Sequence, residues 1–355
     1  MTAFRELTLA QAKPFPWYAA NTVHGQQHNI VSVSGGKDST ATLLVAMAHQ
    51  VPNLRGVFAD TGNEHELTLE YIDYLEQVTG VTIERRRADF SRQIAGKRRY
   101  IETKWRDQGV AESIIETALA VLQPTGIPFL DLCLWKGRFP SRNAQFCTEE
   151  LKRNVIVEQV LIPLLDGQNM VLSWQGVRHA ESEARRYLPE CDEVGGGLFN
   201  YRPIVRWPVE AVFEAHRWAG VKPNPLYKMD FGRVGCFPCI NCRKVELRHA
   251  ARRYPQHIDR IETWESLVAH VSKRQAATFF AASKVKLPGV DPSSLQPAEV
   301  MQAANIRRAV EWSLTTRGGT QYDLMTDATD TSACSSSYGL CEGGWEPVNT
   351  KELAA

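Results

Sequence analysis

Short apolar runs alternate with amphipathic stretches over the first quarter of the chain. The first run, at 28–33, is rich in β-branched side chains, breaks at Gly35 and Gly36, and leads into a stretch of helical composition from Ser39. The unit recurs as an apolar run at 54–59 and a stretch at 65–78 with apolar positions at helical spacing, before a third run at 81–90. Strands that alternate with helices in this way pair in parallel through right-handed crossovers. The pattern predicts an α/β fold with a doubly wound parallel sheet.

Changes in composition divide the chain into four predicted segments. Residues 1–27 lack a clear period and are interpreted as an N-terminal leader, and the α/β domain is predicted over 28–230. A Cys-rich, metal-binding and helical segment follows at 231–285. A helical region and tail, richer in Pro, Ser, Thr and Gly, are predicted at 286–355.

Charge and hydropathy exclude several classes of protein. The 355 residues carry 41 Lys and Arg against 40 Asp and Glu, so the net charge of +1 gives no overall attraction to nucleic acid or to an anionic membrane. No apolar run reaches the roughly 18 residues of a membrane span, and the first residues lack the apolar core of a secretory signal. We therefore expect a cytoplasmic protein that makes no membrane contact. Its eight cysteines are too sparse for a disulfide scaffold.

A glycine loop directly follows the first predicted strand and opens the first predicted helix. It reads Ser34-Gly35-Gly36-Lys37-Asp38-Ser39, with Thr40 next. Backbone N–H groups at such a turn converge on an anion, and Lys37 adds a positive charge. The hydroxyls of Ser34, Ser39 and Thr40 add donors, and Asp38 is suited to hold a divalent cation beside phosphates. The alternative is a glycine turn that serves as a helix cap.

The spacing of this loop differs from a Walker A loop and from a dinucleotide-binding fingerprint. It resembles the SGGxDS loop of the N-type ATP pyrophosphatases, which split ATP into AMP and pyrophosphate while adenylylating a substrate. The resemblance implies an adenine nucleotide alpha hydrolase-like fold and a PP-loop ATP pyrophosphatase domain over 28–230. It also implies ATP and Mg²⁺ as the bound groups.

Two other strand ends offer candidate nucleotide-binding residues. Asp60 and Thr61 follow the second predicted strand, and ligands of such sheets lie at the carboxyl ends of strands. Gly176, Arg178 and Arg185 follow a later strand, where the arginines could bind phosphate by charge-assisted hydrogen bonds. The alternatives are a capped turn at the first place and a solvated charged helix at the second.

The cysteines are clustered in a way that favours metal or redox chemistry. Cys236, Cys239 and Cys242 stand at two successive CxxC spacings, and the candidate for a distant fourth ligand is Cys147. Four thiolates suit either a [4Fe-4S] cluster or a zinc ion. Nearby cations would moderate the negative charge of the thiolates; they are Arg142, Lys152, Arg243 and Lys244. Cys133 and Cys191 are interpreted as ordinary thiols, and Cys334 and Cys341 either relay sulfur or are surface cysteines without a role.

Several strings over residues 28–255 together resemble the phosphoadenosine phosphosulfate reductase family: SGGKDS, FCTEELK, GVRHAESEARR and YRPIVRWPVEAVFEAHRWAGVKPNPLY leading to GCFPC. Adenylyl sulfate reductases of this family hold an iron-sulfur cluster on a Cys-Cys pair and a later CxxC. Here Cys147 stands where the pair would be, and Thr148 replaces the second cysteine. The resemblance leaves two arrangements open, since Cys242 could be the fourth ligand or the cluster could have three cysteines and an open iron.

The intact SGGKDS loop favours ATP chemistry over sulfate reduction. True reductases of the family have lost the intact loop and end in a tail with a nucleophilic cysteine, a string that is absent here. The closer resemblance is to the iron-sulfur component of DNA phosphorothioation systems and its phage relatives. It implies that Lys37, Asp38, Arg178 and Arg185 act in adenylylation of an acceptor, and that cluster-held or cysteine-held sulfur then displaces AMP.

The partners and three rival functions follow from the same resemblance. A cysteine desulfurase would supply the sulfur, and DNA or tRNA could be the acceptor; the basic runs at 85–87 and 97–99 could contact a nucleic-acid backbone or be solvated charge. The rivals are a phosphoadenosine phosphosulfate or adenylyl sulfate reductase, an enzyme like the sulfate adenylyltransferase small subunit, and a zinc-stabilised nucleotide-binding module.

Overall fold

The computed structural model describes residues 25–280 and 294–315. The strands are β1 (Gln27–Ser32), β2 (Leu54–Ala59), β3 (Ile83–Arg86), β4 (Met170–Trp174), β5 (Cys191–Gly195) and β6 (Leu198–Tyr201). The helices are α1 (Lys37–Ala48), α2 (Glu66–Thr79), α3 (Ser91–Tyr100), α4 (Glu112–Val121), α5 (Pro128–Lys136), α6 (146–166), α7 (Val209–Ala219), α8 (Lys244–Arg253), α9 (Pro255–His270), α10 (Pro297–Ala303) and α11 (Ile306–Leu314). Most of the predicted leader (1–27), the tail beyond 315, Cys334 and Cys341 lie outside the described residues.

Five strands of the sheet are parallel, and the order across it is β3-β2-β1-β4-β6-β5. Edge strand β5 pairs with β6 in the antiparallel direction, so the predicted parallel sheet has one antiparallel edge. The physical reason is the short connection through Gly195, Gly196 and Gly197, all with positive φ, which returns the chain at once instead of through a helical crossover. The predicted α/β doubly wound fold is otherwise confirmed.

Helices cover both faces of the sheet. On one face, apolar side chains of α1, α2 and α7 pack with those of β1, β2 and β4, and α1 lies against α7. On the other face, α6 places Ile156, Val160 and Leu161 against β1, β2 and β4. The sheet is therefore buried on both sides at its centre, which is why the strand cores read as continuous apolar runs.

A separate helical layer carries the cysteine region. One apolar cluster joins side chains of α3, α4 and α5 to side chains of α8, α9 and α11. Cys147, Cys239 and Cys242 pack at its border. The turns of α6 alternate between α and π geometry, with π turns at Glu149–Arg153 and Val157–Leu161. In the part of the chain that the structure describes, no helix combines the length and apolar character needed to cross a bilayer.

Candidate functional site

The glycine loop lies between the end of β1 and the start of α1, as the sequence predicts. Gly35 has φ +78°, and a Cβ there would lie 2.7 Å from Cγ2 of Thr68. The Ser39 hydroxyl accepts from the backbone N–H of Ser34 at 3.1 Å and donates to the carbonyl of Gly36 at 3.1 Å. Lys37, the first residue of α1, is fully buried. The predicted residues Ser34 to Thr40 thus form one compact turn at a helix N-terminus, the geometry that binds anions.

A buried ion pair links this loop to the segment after β4. Arg178 donates through Nε to Oδ1 of Asp38 at 2.5 Å, and Nζ of Lys37 lies 2.9 Å from Oδ2 of the same carboxylate. Burial acts to raise the pKa of Asp38, but the two cations and their hydrogen bonds lower it to about 2. Asp38 is therefore ionised at neutral pH, in the form that could hold Mg²⁺.

Glu181 organises the two predicted arginines. Its carboxylate accepts from the backbone N–H of Arg178 at 2.9 Å and from Nη1 of Arg185 at 2.6 Å. Arg185 is fully buried and is joined to the backbone of Arg178 through Glu181. The sequence does not single out Glu181 for this task, although its place three residues after Arg178 matches a capping box.

Gly176 lies at the contact between the glycine loop and the segment after β4. A Cβ at this position would lie 2.7 Å from the backbone N of Ser39 and 2.8 Å from the carbonyl of Asp38. The neighbours are backbone atoms of the loop, which cannot move aside without distorting it. Gly176, predicted to bind nucleotide, thus has a clear local role: it allows the strand-end segment to approach the loop.

The end of β2 adds a buried carboxylate beside the predicted residues Asp60 and Thr61. Glu64 accepts from the Thr61 hydroxyl at 2.6 Å and from its backbone N–H at 3.1 Å. Burial raises the pKa of Glu64, and the charge of Lys152 acts in the opposite direction. Asp60, predicted beside Thr61, accepts from the backbone N–H of Gly62 and pairs with Nε of Arg87 at 3.1 Å.

The same strand end holds the cysteine loop. Glu64 and Cys236 form an isolated antiparallel bridge, and the backbone N–H of Phe237 donates to the carbonyl of Asn63 at 2.6 Å. Arg260 of α9 donates to both the Asn63 side chain and the Phe237 carbonyl, at 2.9 and 2.8 Å. The cysteine loop is therefore fixed to the carboxyl edge of the sheet, next to the glycine loop.

The four predicted cysteines lie around two adjoining cavities. Cys147, Cys236 and Cys239 line one of them, together with Lys152, Arg233 and Gly235. Cys236, Cys239 and Cys242 line the other. A third cavity, lined by Ser34, Ala59 and Glu64 at the ends of β1 and β2, also has Lys152 and Gly235 in its wall. Lys152 and Gly235 thus separate the cysteine cavity from the one beside the glycine loop.

The two cysteines interpreted as ordinary thiols are placed differently. Cys133 is fully buried in α5, and burial raises the pKa of its thiol well above the usual value, with a further contribution from Cys147. Cys191 lies half-buried in the edge strand β5, against the α1 side of the sheet. These positions agree with the interpretation of both cysteines as packing residues.

A histidine pair lies beside the cysteine loop. In the described part of the chain, His65, Glu66 and His257 are the group of three possible metal ligands whose atoms lie within 4.8 Å of one another. Nδ1 of His65 accepts from the backbone N–H of Leu67 at 3.1 Å and so caps α2, while Nε2 of His257 faces Glu66 at 3.1 Å. These bonds give the group a structural role at the start of α2.

Most of the basic runs are engaged within the protein. Arg85 pairs with Asp73 and Glu76, and Arg86 pairs with Glu84. Lys97 donates to the carbonyl of Leu134 at 2.8 Å, and Arg98 donates to the carbonyls of Leu119 and Leu122. Arg99 is exposed. The runs therefore do not form a continuous surface of unpaired charge for a nucleic-acid backbone.

The amino-acid sequence is similar to those of known proteins. Residues 28–242 match the model of the phosphoadenosine phosphosulfate reductase domain. The chain is 46% identical over 327 residues to an uncharacterized 37.8 kDa protein of the gpa 5' region of Escherichia phage 186, a match that covers 88% of this chain and 96% of the phage protein.

Two reductases show lower similarity to the chain. The adenosine 5'-phosphosulfate reductase of Mesorhizobium japonicum is 26% identical over 211 residues, covering 59% of this chain and 65% of the reductase. The structure of phosphoadenylyl-sulfate reductase from Candida auris superposes with a TM-score of 0.39 at 14% identity, covering 67% of this chain and 96% of that one.

Proposed function

The chain belongs to the phosphoadenosine phosphosulfate reductase domain family, and from that premise we propose that it is an ATP pyrophosphatase that adenylylates an acceptor and supports sulfur transfer to it. The observation that carries the proposal is the intact glycine loop at the end of β1, joined by Asp38 and Arg178 to the segment after β4 and bordered by the cysteine cavities. Sites of this kind lie at the carboxyl edge of an open α/β sheet.

The glycine loop supports cleavage of ATP between the α- and β-phosphates. An acceptor oxygen donates an electron pair to the α-phosphorus, and the bridging oxygen leaves with the pair as part of pyrophosphate. Lys37 and Arg178 supply positive charge where the leaving group gains negative charge, and Asp38 would hold the Mg²⁺ that shares this task. Arg185 keeps Arg178 in position through Glu181.

The cysteine region fits a thiolate-bound cluster. Four thiols line two adjoining cavities, and the cations Lys152, Arg233 and Arg260 lie around them. A donor set made of four thiols suits a [4Fe-4S] cluster, which is the proposed group, and a zinc ion is the alternative. When bound, such a cluster supplies a site for holding and delivering sulfur or electrons.

The shared wall of the cavities supports a connected reaction. Lys152 is nearly buried and lines both the cysteine cavity and the cavity beside the glycine loop. In the proposed second step the terminal sulfur of a cysteine persulfide attacks the adenylylated acceptor, and AMP leaves with the electron pair of the broken bond. A thiol then reduces the remaining S–S bond, which releases the sulfur-bearing acceptor and leaves a disulfide. A cysteine desulfurase is the proposed sulfur donor, and DNA or tRNA is the proposed acceptor.

An anaerobic preparation allows the iron-sulfur cluster and the ATP reaction to be tested separately. A broad absorption band at about 400 nm with matching iron and sulfide content, lost in a Cys236→Ala, Cys239→Ala variant and kept in Cys191→Ala, is the expected result. A colourless protein with one zinc would overturn the cluster.

For the ATP reaction, we expect AMP and pyrophosphate as products with a DNA duplex or unfractionated tRNA as acceptor. This activity should be lost in Lys37→Ala and kept in the exposed control Lys222→Ala. ADP and phosphate as products would overturn the proposal.

Sulfonucleotide reduction is the second candidate, favoured by the 26% identity to an adenosine 5'-phosphosulfate reductase. It would convert adenosine 5'-phosphosulfate and two thiols into AMP, sulfite and a disulfide without consuming ATP. Incubation with this substrate and a dithiol in the absence of ATP distinguishes the two: we expect no sulfite, and sulfite formation would favour the reductase.

A further inference from the structure

Three carbonyl groups of the glycine loop, those of Gly35, Gly36 and Lys37, are bonded by side chains. The side-chain amide of Asn224 donates to the carbonyl of Gly35 at 3.1 Å. The Gly36 carbonyl accepts from the hydroxyls of Ser39 and Thr40 at 3.1 and 3.0 Å. The Lys37 carbonyl faces Nε2 of His216 at 2.9 Å; because a carbonyl can only accept, that nitrogen carries a hydrogen. With its carbonyls held in this way, the loop can present its N–H groups to an anion.

One of those N–H groups is already occupied by Tyr227. The backbone N–H of Lys37, the first of α1, donates to the Tyr227 hydroxyl at 2.9 Å. The N–H groups of the first helical turn have no partner within a helix and are the donors that a phosphate uses. The Tyr227 hydroxyl therefore uses one of the N–H donors that an anion bound at the start of α1 would require.

Asn224 caps the 3₁₀ turn that contains Tyr227, and the two side chains bond to the loop at the Gly35 carbonyl and the Lys37 N–H. Asn224 precedes the 3₁₀ turn Pro225–Met229 and is itself oriented by accepting from the backbone N–H of Leu226 at 3.0 Å. Tyr227 is half-buried, with its ring 5.6 Å from Nζ of Lys37. One residue fixes a carbonyl and the other occupies an N–H, so their removal should have opposite consequences for anion binding.

We propose that Tyr227 sets the affinity of the glycine loop for phosphate groups, because its hydroxyl must give up the Lys37 N–H when pyrophosphate or the β,γ-phosphates of ATP bind. This inference rests on the proposed function. Competition from the tyrosine weakens the hold of the loop on pyrophosphate and so favours release of that product. Asn224 is a positioning residue that acts through the Gly35 carbonyl.

The test measures binding of inorganic pyrophosphate with Mg²⁺ to the full chain by isothermal titration calorimetry. In the parent, pyrophosphate must break the hydrogen bond between the Lys37 N–H and the Tyr227 hydroxyl before it can bind. Tyr227→Phe lacks this bond, so we expect it to bind pyrophosphate about two- to tenfold more tightly than the parent. Asn224→Ala should bind more weakly. The matched control is Tyr74→Phe, because the Tyr74 hydroxyl accepts from the backbone N–H of Lys222 at the same 2.9 Å, away from the loop. Circular dichroism checks that each variant is folded.

Steady-state kinetics give a second readout, which would not change if Tyr227 had only a structural role. If pyrophosphate release limits turnover, both KM for ATP and kcat fall in Tyr227→Phe. Equal or weaker pyrophosphate binding in Tyr227→Phe overturns the inference while leaving the proposed function intact. A folded parent protein that binds neither pyrophosphate nor ATP contradicts the proposed function itself.

Discussion

Arg178 donates a hydrogen bond of 2.5 Å to Asp38, although 140 residues separate the two along the chain. The pair is almost completely buried and joins the ends of β1 and β4. Because Lys37 contacts the other oxygen of the same carboxylate, one negative charge compensates two buried cations.

Asp38→Asn should therefore destabilise the protein at neutral pH. Removing one partner of a buried pair costs about 3 to 5 kcal/mol, since it leaves uncompensated charge. The pKa of Asp38 is about 2 in the folded protein against 3.8 ordinarily, so the stabilisation is present above about pH 4 and is lost as the pH falls toward 2. Urea unfolding from pH 7 to pH 3 measures it: the gap between parent and variant should narrow below pH 4, and a gap independent of pH would contradict the assignment. The exposed Asp73→Asn is the control.

Gly176→Ala should disrupt the glycine loop. The added methyl group would lie 2.7 Å from the backbone of Ser39, so the loop must shift. We expect a loss of stability of about 1 to 3 kcal/mol and weaker ATP binding, measured by urea unfolding and calorimetry. Gly96→Ala is the matched control: this glycine is in α3 with nothing within 4 Å of the added atom, and the change should stabilise by about 0.5 to 1 kcal/mol. Unchanged ATP binding in Gly176→Ala would show that the close approach is dispensable.

Glu265 makes attachment of the last helices depend on pH. Its carboxylate accepts from the backbone N–H groups of Phe279 and Ile306, at 2.7 and 2.9 Å, and burial raises its pKa to about 7. A raised pKa means that the folded state prefers the protonated acid, so its stabilising contribution is full below about pH 4.5 and is lost as the pH rises through 7. Hydrogen exchange at Ile306 should therefore be faster at pH 8 than at pH 6 beyond the intrinsic chemical rate. Glu265→Gln should abolish this extra dependence, and an identical profile in the variant would refute it.

The four cysteines of the two cavities should contribute unequally to iron binding. Cys236 and Cys239 line both cavities, whereas Cys147 and Cys242 each line one. We expect single alanine variants of Cys236 or Cys239 to lose nearly all iron, and those of Cys147 or Cys242 to retain a less stable cluster. Iron and sulfide content after anaerobic gel filtration measures this. Cys191→Ala should keep the parent content, and loss of iron in that control would indicate a general folding defect.

Local features of the chain were predicted well. The apolar runs that become β1, β2 and β4 and the glycine loop after β1 depend on neighbouring residues, so their patterns are visible in the sequence. The antiparallel pairing of β5 with β6 was missed, although the three successive glycines at 195–197 are a turn signal that could have revealed the hairpin.

Contacts between residues far apart along the chain could not be predicted from local sequence patterns. Glu64 is separated by 172 residues from Cys236, which it bridges, and Lys37 by 190 residues from Tyr227. Nothing in the local spacing of these residues indicates contact, because the order of strands and the packing of the cysteine segment bring them together. Arg85, in the basic run at 85–87, likewise pairs with Asp73, an acidic side chain 12 residues away along the chain.

The wall formed by Lys152 and Gly235 has a consequence for the lifetime of a reactive intermediate. An adenylylated acceptor is prone to hydrolysis, and an enzyme that released it would lose part of the ATP consumed. Here the cavity beside the glycine loop and the cysteine cavity have these two residues in common. Under the proposed function, an acceptor activated beside the glycine loop would have the cysteine cavity as its immediate neighbour, so the yield of product per ATP would depend on Lys152 and Gly235 as well as on the chemistry at either side.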